Sequence, residues 1–124
     1  MRGVVPMEEF EIEFFEKDDG TEPAKDFLMG LDAKMRAKML RTIDLLATNG
    51  TDLRMPYSES LEDGIFELRA KVGSNISRVL YFFFVGKKVI LTNGFIKKTQ
   101  RTPAREIALA KAYRAAYLAR RESR

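Results

Sequence analysis

Arg78-Val79-Leu80-Tyr81-Phe82-Phe83-Phe84-Val85, Gly86-Lys87-Lys88, and Val89-Ile90-Leu91-Thr92-Asn93-Gly94-Phe95-Ile96-Lys97-Lys98-Thr99-Gln100 form two apolar runs around a Gly-containing turn. β-Branched and aromatic residues fill both runs, so they predict a β-hairpin. Apolar residues at odd and even positions alike require cover on both faces, as in the centre of a sheet. The hairpin opens with an arginine and closes with a lysine pair. Cations are thus fixed at the margins of a rigid sheet, a position suited to phosphate chemistry.

Working outward, Ile65 to Val72 alternates, with Glu67, Arg69 and Lys71 on one face and Phe66, Leu68 and Ala70 on the other. Gly73-Ser74-Asn75 turns it into the hairpin, giving three consecutive antiparallel strands. Upstream, Thr51 to Gly64 is polar and turn-rich and is expected to be a loop. Before it, Asp32 to Thr48 carries Met35, Met39, Ile43 and Leu46 at helical spacing, with Asn49-Gly50 as a stop. A shorter helix starts near Thr21 and Pro23, and the two are expected to pack as a helical hairpin. Phe10, Ile12 and Phe14 alternate with Glu in an edge strand, and residues 1–7 read as a tail. Thr102-Pro103 opens a last helix with Ile107, Ala110, Tyr113, Ala116 and Tyr117 as its core stripe. The expected class is α+β: strand, two helices, three antiparallel strands, helix, with the helices packed on a small, mainly antiparallel sheet.

The 124 residues suit one domain with a real core. No apolar run reaches the length of a membrane span and the first residues lack a signal-peptide core, so the expected location is the cytoplasm. Cysteine and histidine are both absent, which removes thiolate catalysis, the commonest metal ligand and the commonest general base. No metal or cofactor is therefore expected. Chemistry must rely on carboxylates, lysine, arginine, tyrosine or hydroxyls.

Charge is polarised along the chain. Met1 to Gly64 holds 8 Lys and Arg against 15 Asp and Glu, a balance of −7, and Ile65 to Arg124 holds 14 against 3, a balance of +11. So basic a half suits a polyanionic partner; the alternative is that the halves fold together and offset each other. Arg69 and Arg78 fall on neighbouring strands, and Lys97 and Lys98 end the next. If they converge, four cations repel unless an anion joins them, which points to phosphate. A lysine crowded in this way releases its proton more readily and can act as a base. RNA cleavage by its own 2′-hydroxyl needs such a base and an arginine on the phosphate. Lys71, Arg101 and Arg105 are further candidate RNA contacts. The bland alternative for Arg78 is a surface ion pair with Glu67.

Gly64-Ile65-Phe66-Glu67-Leu68-Arg69, Ser77-Arg78-Val79-Leu80-Tyr81-Phe82-Phe83 and Gly94-Phe95-Ile96-Lys97-Lys98-Thr99 with Thr102-Pro103 together resemble the phage-derived branch of the RelE/HigB toxin superfamily. The resemblance implies a type II toxin that cuts mRNA in the ribosomal A site, and a helix-turn-helix antitoxin of the HigA kind as partner. It carries phosphate-binding and catalytic roles onto Arg69, Arg78, Lys97 and Lys98. On this reading Arg78→Ala abolishes cleavage and leaves the fold intact. The sequence departs from several members of the superfamily at Thr99-Gln100-Arg101-Thr102, where they carry a tyrosine or histidine. Two other classes compete: a non-catalytic module that binds RNA or a partner, and a phage accessory protein whose Arg-rich last helix binds another subunit.

Overall fold

The computed structural model describes residues 9–96 and 101–122. The expected tail, and Lys97 and Lys98 with Thr99 and Gln100, lie outside the described residues. Three helices and five strands form an α+β fold: β1 Glu11–Phe14, α1 Pro23–Met29, α2 Ala33–Asn49, β2 Ser58–Glu62, β3 Ile65–Val72, β4 Asn75–Phe84, β5 Lys88–Ile96 and α3 Ala104–Glu122. The strands form one mixed sheet in the order β1-β5-β4-β3-β2. All neighbours are antiparallel except β1, which runs parallel to β5 at one edge.

Four antiparallel strands follow the helices where three are expected. The extra one, β2, lies inside the stretch read as a loop. Its five residues Ser-Glu-Ser-Leu-Glu carry almost no apolar signal, because β2 is an edge strand with only Ser58 fully buried. Asp63 and Gly64 join β2 to β3 with φ of 51° and 76°. Two successive positive φ values belong to the tight hairpin turn that Asp-Gly favours, and this dipeptide was the available signal.

Each sheet face has its own core. Leu68, Val79, Tyr81, Val89 and Leu91 pack under α1 and α2 with Leu28, Met35, Met39 and Leu46. Ile65, Leu80, Phe82 and Ile90 pack under α3 with Phe15, Ala110 and Tyr117. Asp32 caps α2, its carboxylate accepting the Met35 amide at 2.9 Å. The expected helical hairpin takes a different form: α1 lies on β5 and α2 on β3, and each meets the sheet far more than the other helix. The apolar stripes of both helices match the sheet's larger apolar surface better than they match each other. No described helix is long and apolar enough to cross a membrane.

Gly94 lets α1 settle. A Cβ there would collide with the Phe27 ring, which lies directly on the strand backbone. Gly94→Ala is therefore expected to destabilise the chain by about 1–3 kcal/mol. Phe27→Leu in the same chain should recover part of that loss in urea denaturation, and no recovery would place the strain elsewhere.

Tyr81 is buried and shares a 2.5 Å hydrogen bond with the Ser58 hydroxyl. Burial pushes its phenol up to about 12, the Ser58 bond pulling the other way. An unfolded tyrosine ionises near ~10, so between ~10 and ~12 the folded chain holds a proton that the unfolded chain has released. Tyr81 thus leaves stability independent of pH below ~10 and lowers it, by on the order of 2 kcal/mol, as pH rises through that window. Urea denaturation across the window should show a steeper fall in the wild type than in Tyr81→Phe.

Candidate functional site

On the face that α3 covers, strand register builds a grid of charge. Arg69 on β3 is the Cα partner of Arg78 on β4, and Glu67 on β3 is the partner of Glu59 on β2. Period-2 alternation puts Glu67 and Arg69 on the same face, so the carboxylates lie between or beside the guanidinium groups. Glu67 is completely buried and Arg78 is 1% exposed. The Glu67 Oε2 accepts from Arg69 Nε at 2.6 Å and lies 3.7 Å from an Arg78 guanidinium nitrogen. Its other oxygen accepts the Thr102 hydroxyl, from the segment that leads into α3. Arg69 also engages the Glu59 carboxylate.

This arrangement alters the electrostatic expectation. Arg69 and Arg78 are brought together, but the anion their repulsion demands is supplied internally, in part, by Glu67 and Glu59. The Arg78–Glu67 pair exists, yet it is buried and not a surface contact. A charge at that depth persists only when paired, so Arg78 holds the cluster's floor. Arg69, with a fifth of its side chain exposed, is the arginine that reaches solvent.

Arg69 opens onto a groove of about 410 Å³ between β2 and the start of α3, where Arg69 and Arg101 share the lining with the carboxylates of Glu59 and Glu62 and with Leu61, Thr102 and Ile107. A second concavity of about 380 Å³ continues along α3 past Arg101 and Thr102 to Ala108 and Lys111. Arg101 therefore belongs to the same groove as Arg69. Arg105 is exposed in the first turn of α3, 3.9 Å from Glu106, and lines neither concavity. Lys71 is exposed beyond the end of β2 and lines a different pocket, which it shares with Arg69.

The basic face of α3 is largely neutralised by the acidic half of the chain. Lys111 pairs with Glu62 at 2.6 Å, Arg114 with Asp63 at 2.8 Å, Arg120 with Asp18 at 2.9 Å and Arg121 with Glu13 at 3.3 Å. Exposed pairs of this kind contribute little stability each, and the buried contacts of Ala110 and Tyr117 hold the helix on the sheet. Tyr117 donates to Glu13 at 3.1 Å and accepts from Arg121 at 2.6 Å. Burial raises its pKa, with the Arg121 hydrogen bond opposing. Tyr117 packs edge-on against Phe82 and Phe84. Tyr113 stacks on Phe15, as its place in the core stripe implies.

A sequence pattern described as phage-derived protein Gp49-like (DUF891) matches residues 26–119, well over half of the chain and all of the sheet except β1. The chain belongs to the Gp49-like family. This is a RelE-like toxin family, and the α+β architecture of this member is consistent with a small toxin of that class. No curated protein matches the chain. In this Gp49-like protein the matched segment contains the whole Glu59–Glu67–Arg69–Arg78–Thr102 cluster and its groove. Glu59 and Thr102 join the cluster unannounced by the cationic pattern, and Glu67, expected at most as a surface partner of Arg78, is its buried centre. The Glu-x-Arg spacing puts Glu67 and Arg69 on one face, because residues two apart on a strand share it; Glu59 enters through the β2–β3 register and Thr102 through the segment before α3.

Proposed function

We propose that this Gp49-like protein is the toxin of a type II toxin–antitoxin pair in the HigB-like branch, an endoribonuclease that cuts mRNA in the ribosomal A site. The convergence of Arg69 and Arg101 on one groove, in a chain with neither histidine nor cysteine, is the observation that supports this reading most. The reaction is an internal transfer. A ribose 2′-oxygen forms a bond to the adjacent phosphorus, the bond to the 5′-oxygen breaks, and a 2′,3′-cyclic phosphate and a 5′-hydroxyl result. One proton leaves the 2′-oxygen and one reaches the 5′-oxygen.

Arg69 meets the pentavalent phosphate, whose added negative charge it stabilises more strongly than it does the ground state. The incoming phosphate displaces Glu59, which is the half-exposed carboxylate, while buried Glu67 keeps hold of Arg69 Nε. Arg78 acts through Glu67 and is a positioning residue. Lys97 or Lys98 takes the 2′ proton. Arg101 contacts the RNA backbone along the groove. The location is the cytoplasm, and the partner is a helix-turn-helix antitoxin of the HigA kind.

A second reading has one observation in its favour. Arg69 already holds two carboxylates, as expected for a docking surface that performs no chemistry. Induced expression in a bacterial host, with growth curves and mapping of mRNA 5′ ends, separates the two. The comparison uses Arg69→Ala, because removing the buried Arg78 would confound folding with catalysis. Growth arrest with new in-frame cuts in translated messages, lost in the variant, supports the nuclease. Normal growth and intact mRNA from soluble protein would favour the binding module.

A further inference from the structure

On the α2 side of the molecule the cations are arranged differently from those of α3. Lys34, Lys38 and Arg41 are spaced by four and three residues and are all exposed, so they form one stripe along α2. Among the described residues no carboxylate lies within ion-pair range of these three or of Lys71, whereas the cations of α3 are matched one by one. The Lys38 ammonium instead donates to the Lys71 carbonyl oxygen at 2.6 Å. The acidic half of the chain has directed its carboxylates at α3 and left this stripe positive.

Lys38 and Lys71 border a pocket of about 250 Å³ that is mostly apolar, lined by Met55, Pro56, Tyr57, Ala70 and Ile76. Met55 is 56% exposed and Tyr57 is 43% exposed, so both side chains are accessible at this recess. The volume is below that of a drug-sized site and suits a single flat ring system. Arg69 also lines this pocket, so one guanidinium joins it to the groove under α3.

We propose that this pocket holds one base of single-stranded RNA against Tyr57, with the flanking phosphates on Lys38 and Lys71 and the scissile phosphate at Arg69. The proposal rests on the endoribonuclease reading for the role of Arg69. Single-stranded nucleic acid alternates a flat apolar ring with an anion, and the surface here alternates an aromatic-lined recess with unmatched cations. An acidic helical peptide would need an apolar groove several turns long, and this pocket has only about 250 Å³. The Thr42 hydroxyl at its margin is engaged with the Lys38 carbonyl at 3.1 Å, so the base is held by stacking more than by reading of its edge.

The test uses the full chain and 2′-O-methyl oligoribonucleotides, which lack the attacking hydroxyl, with 2-aminopurine placed at one position at a time. One position should be strongly quenched on binding. Tyr57→Ala should abolish that quench and weaken binding roughly tenfold, while Tyr57→Phe keeps both. Lys38→Gln with Lys71→Gln should make the salt dependence shallower by up to about two phosphate contacts. Equal quenching at every position, or quenching indifferent to Tyr57→Ala, would overturn the proposal. So would an acidic peptide that perturbs Tyr57 when the oligonucleotides do not. The readout is independent of cleavage: position-specific quenching without cut mRNA in cells would sink the nuclease and keep the pocket, and the reverse pattern would do the opposite.

Discussion

Glu67→Gln is expected to lower the unfolding free energy by about 3–5 kcal/mol, the range for removing one partner of a buried ion pair. Glu67 is completely buried, Arg78 is 1% exposed, and the carboxylate joins Arg78, Arg69 and Thr102. Glutamine keeps the shape but removes the charge, leaving the Arg78 guanidinium at depth without that neutralising carboxylate. Urea denaturation should show a lower midpoint with an unchanged slope. The double variant Glu67→Leu with Arg78→Leu should recover most of the loss, because no buried charge remains. A loss below ~1 kcal/mol in Glu67→Gln would mean that solvent reaches the pair, and the floor of the cluster would then need another account.

Arg69→Ala is expected to act on function with little effect on the fold. Arg69 is partly exposed, its Glu59 partner is nearly half exposed, and Glu67 retains Arg78 and Thr102 when Arg69 is removed. The stability change should stay within about 1 kcal/mol. On the proposed chemistry, losing the guanidinium that meets the pentavalent phosphate should slow RNA cleavage by about 10²–10³-fold, as when one preorganised donor is removed from a transition-state site. Single-turnover cleavage of message on stalled ribosomes measures it. A variant that folds and cleaves at the wild-type rate would remove Arg69 from the reaction and would leave Lys97, Lys98 and Arg101 to be tested. Loss of folding in Arg69→Ala would show instead that Glu67 needs both arginines.

The pair of variants also separates the two arginines, which the sequence presents as equivalents. They stand opposite each other in register, yet one lies beneath α3 and the other at the sheet margin where β2 ends. Side-chain type and strand position predicted that they meet. Depth could not be predicted, because it depends on where α3 crosses the sheet and on the Thr102 hydroxyl arriving from the far end of the chain.

Much of the architecture was written locally. The β4–β5 hairpin and the α2 helix carry their periods in consecutive residues, and the Arg69–Arg78 neighbourhood follows from short antiparallel connections. Local composition also excluded thiol and imidazole chemistry, since that requires only an inventory of residues. β2 was hidden because an edge strand of Ser and Glu buries too little to imprint an apolar pattern, although its Asp63-Gly64 turn was visible. Tertiary structure decided the charge balance. Glu13, Asp18, Glu62 and Asp63 are drawn onto α3 and neutralise the helix that looked most basic, while Lys34, Lys38 and Arg41, in the half that counts as acidic, have no carboxylate within ion-pair range among the described residues. Net charge is a sum over residues and survives any fold, but electrostatic potential depends on distance, and only packing sets which opposite charges come within a few ångströms of each other.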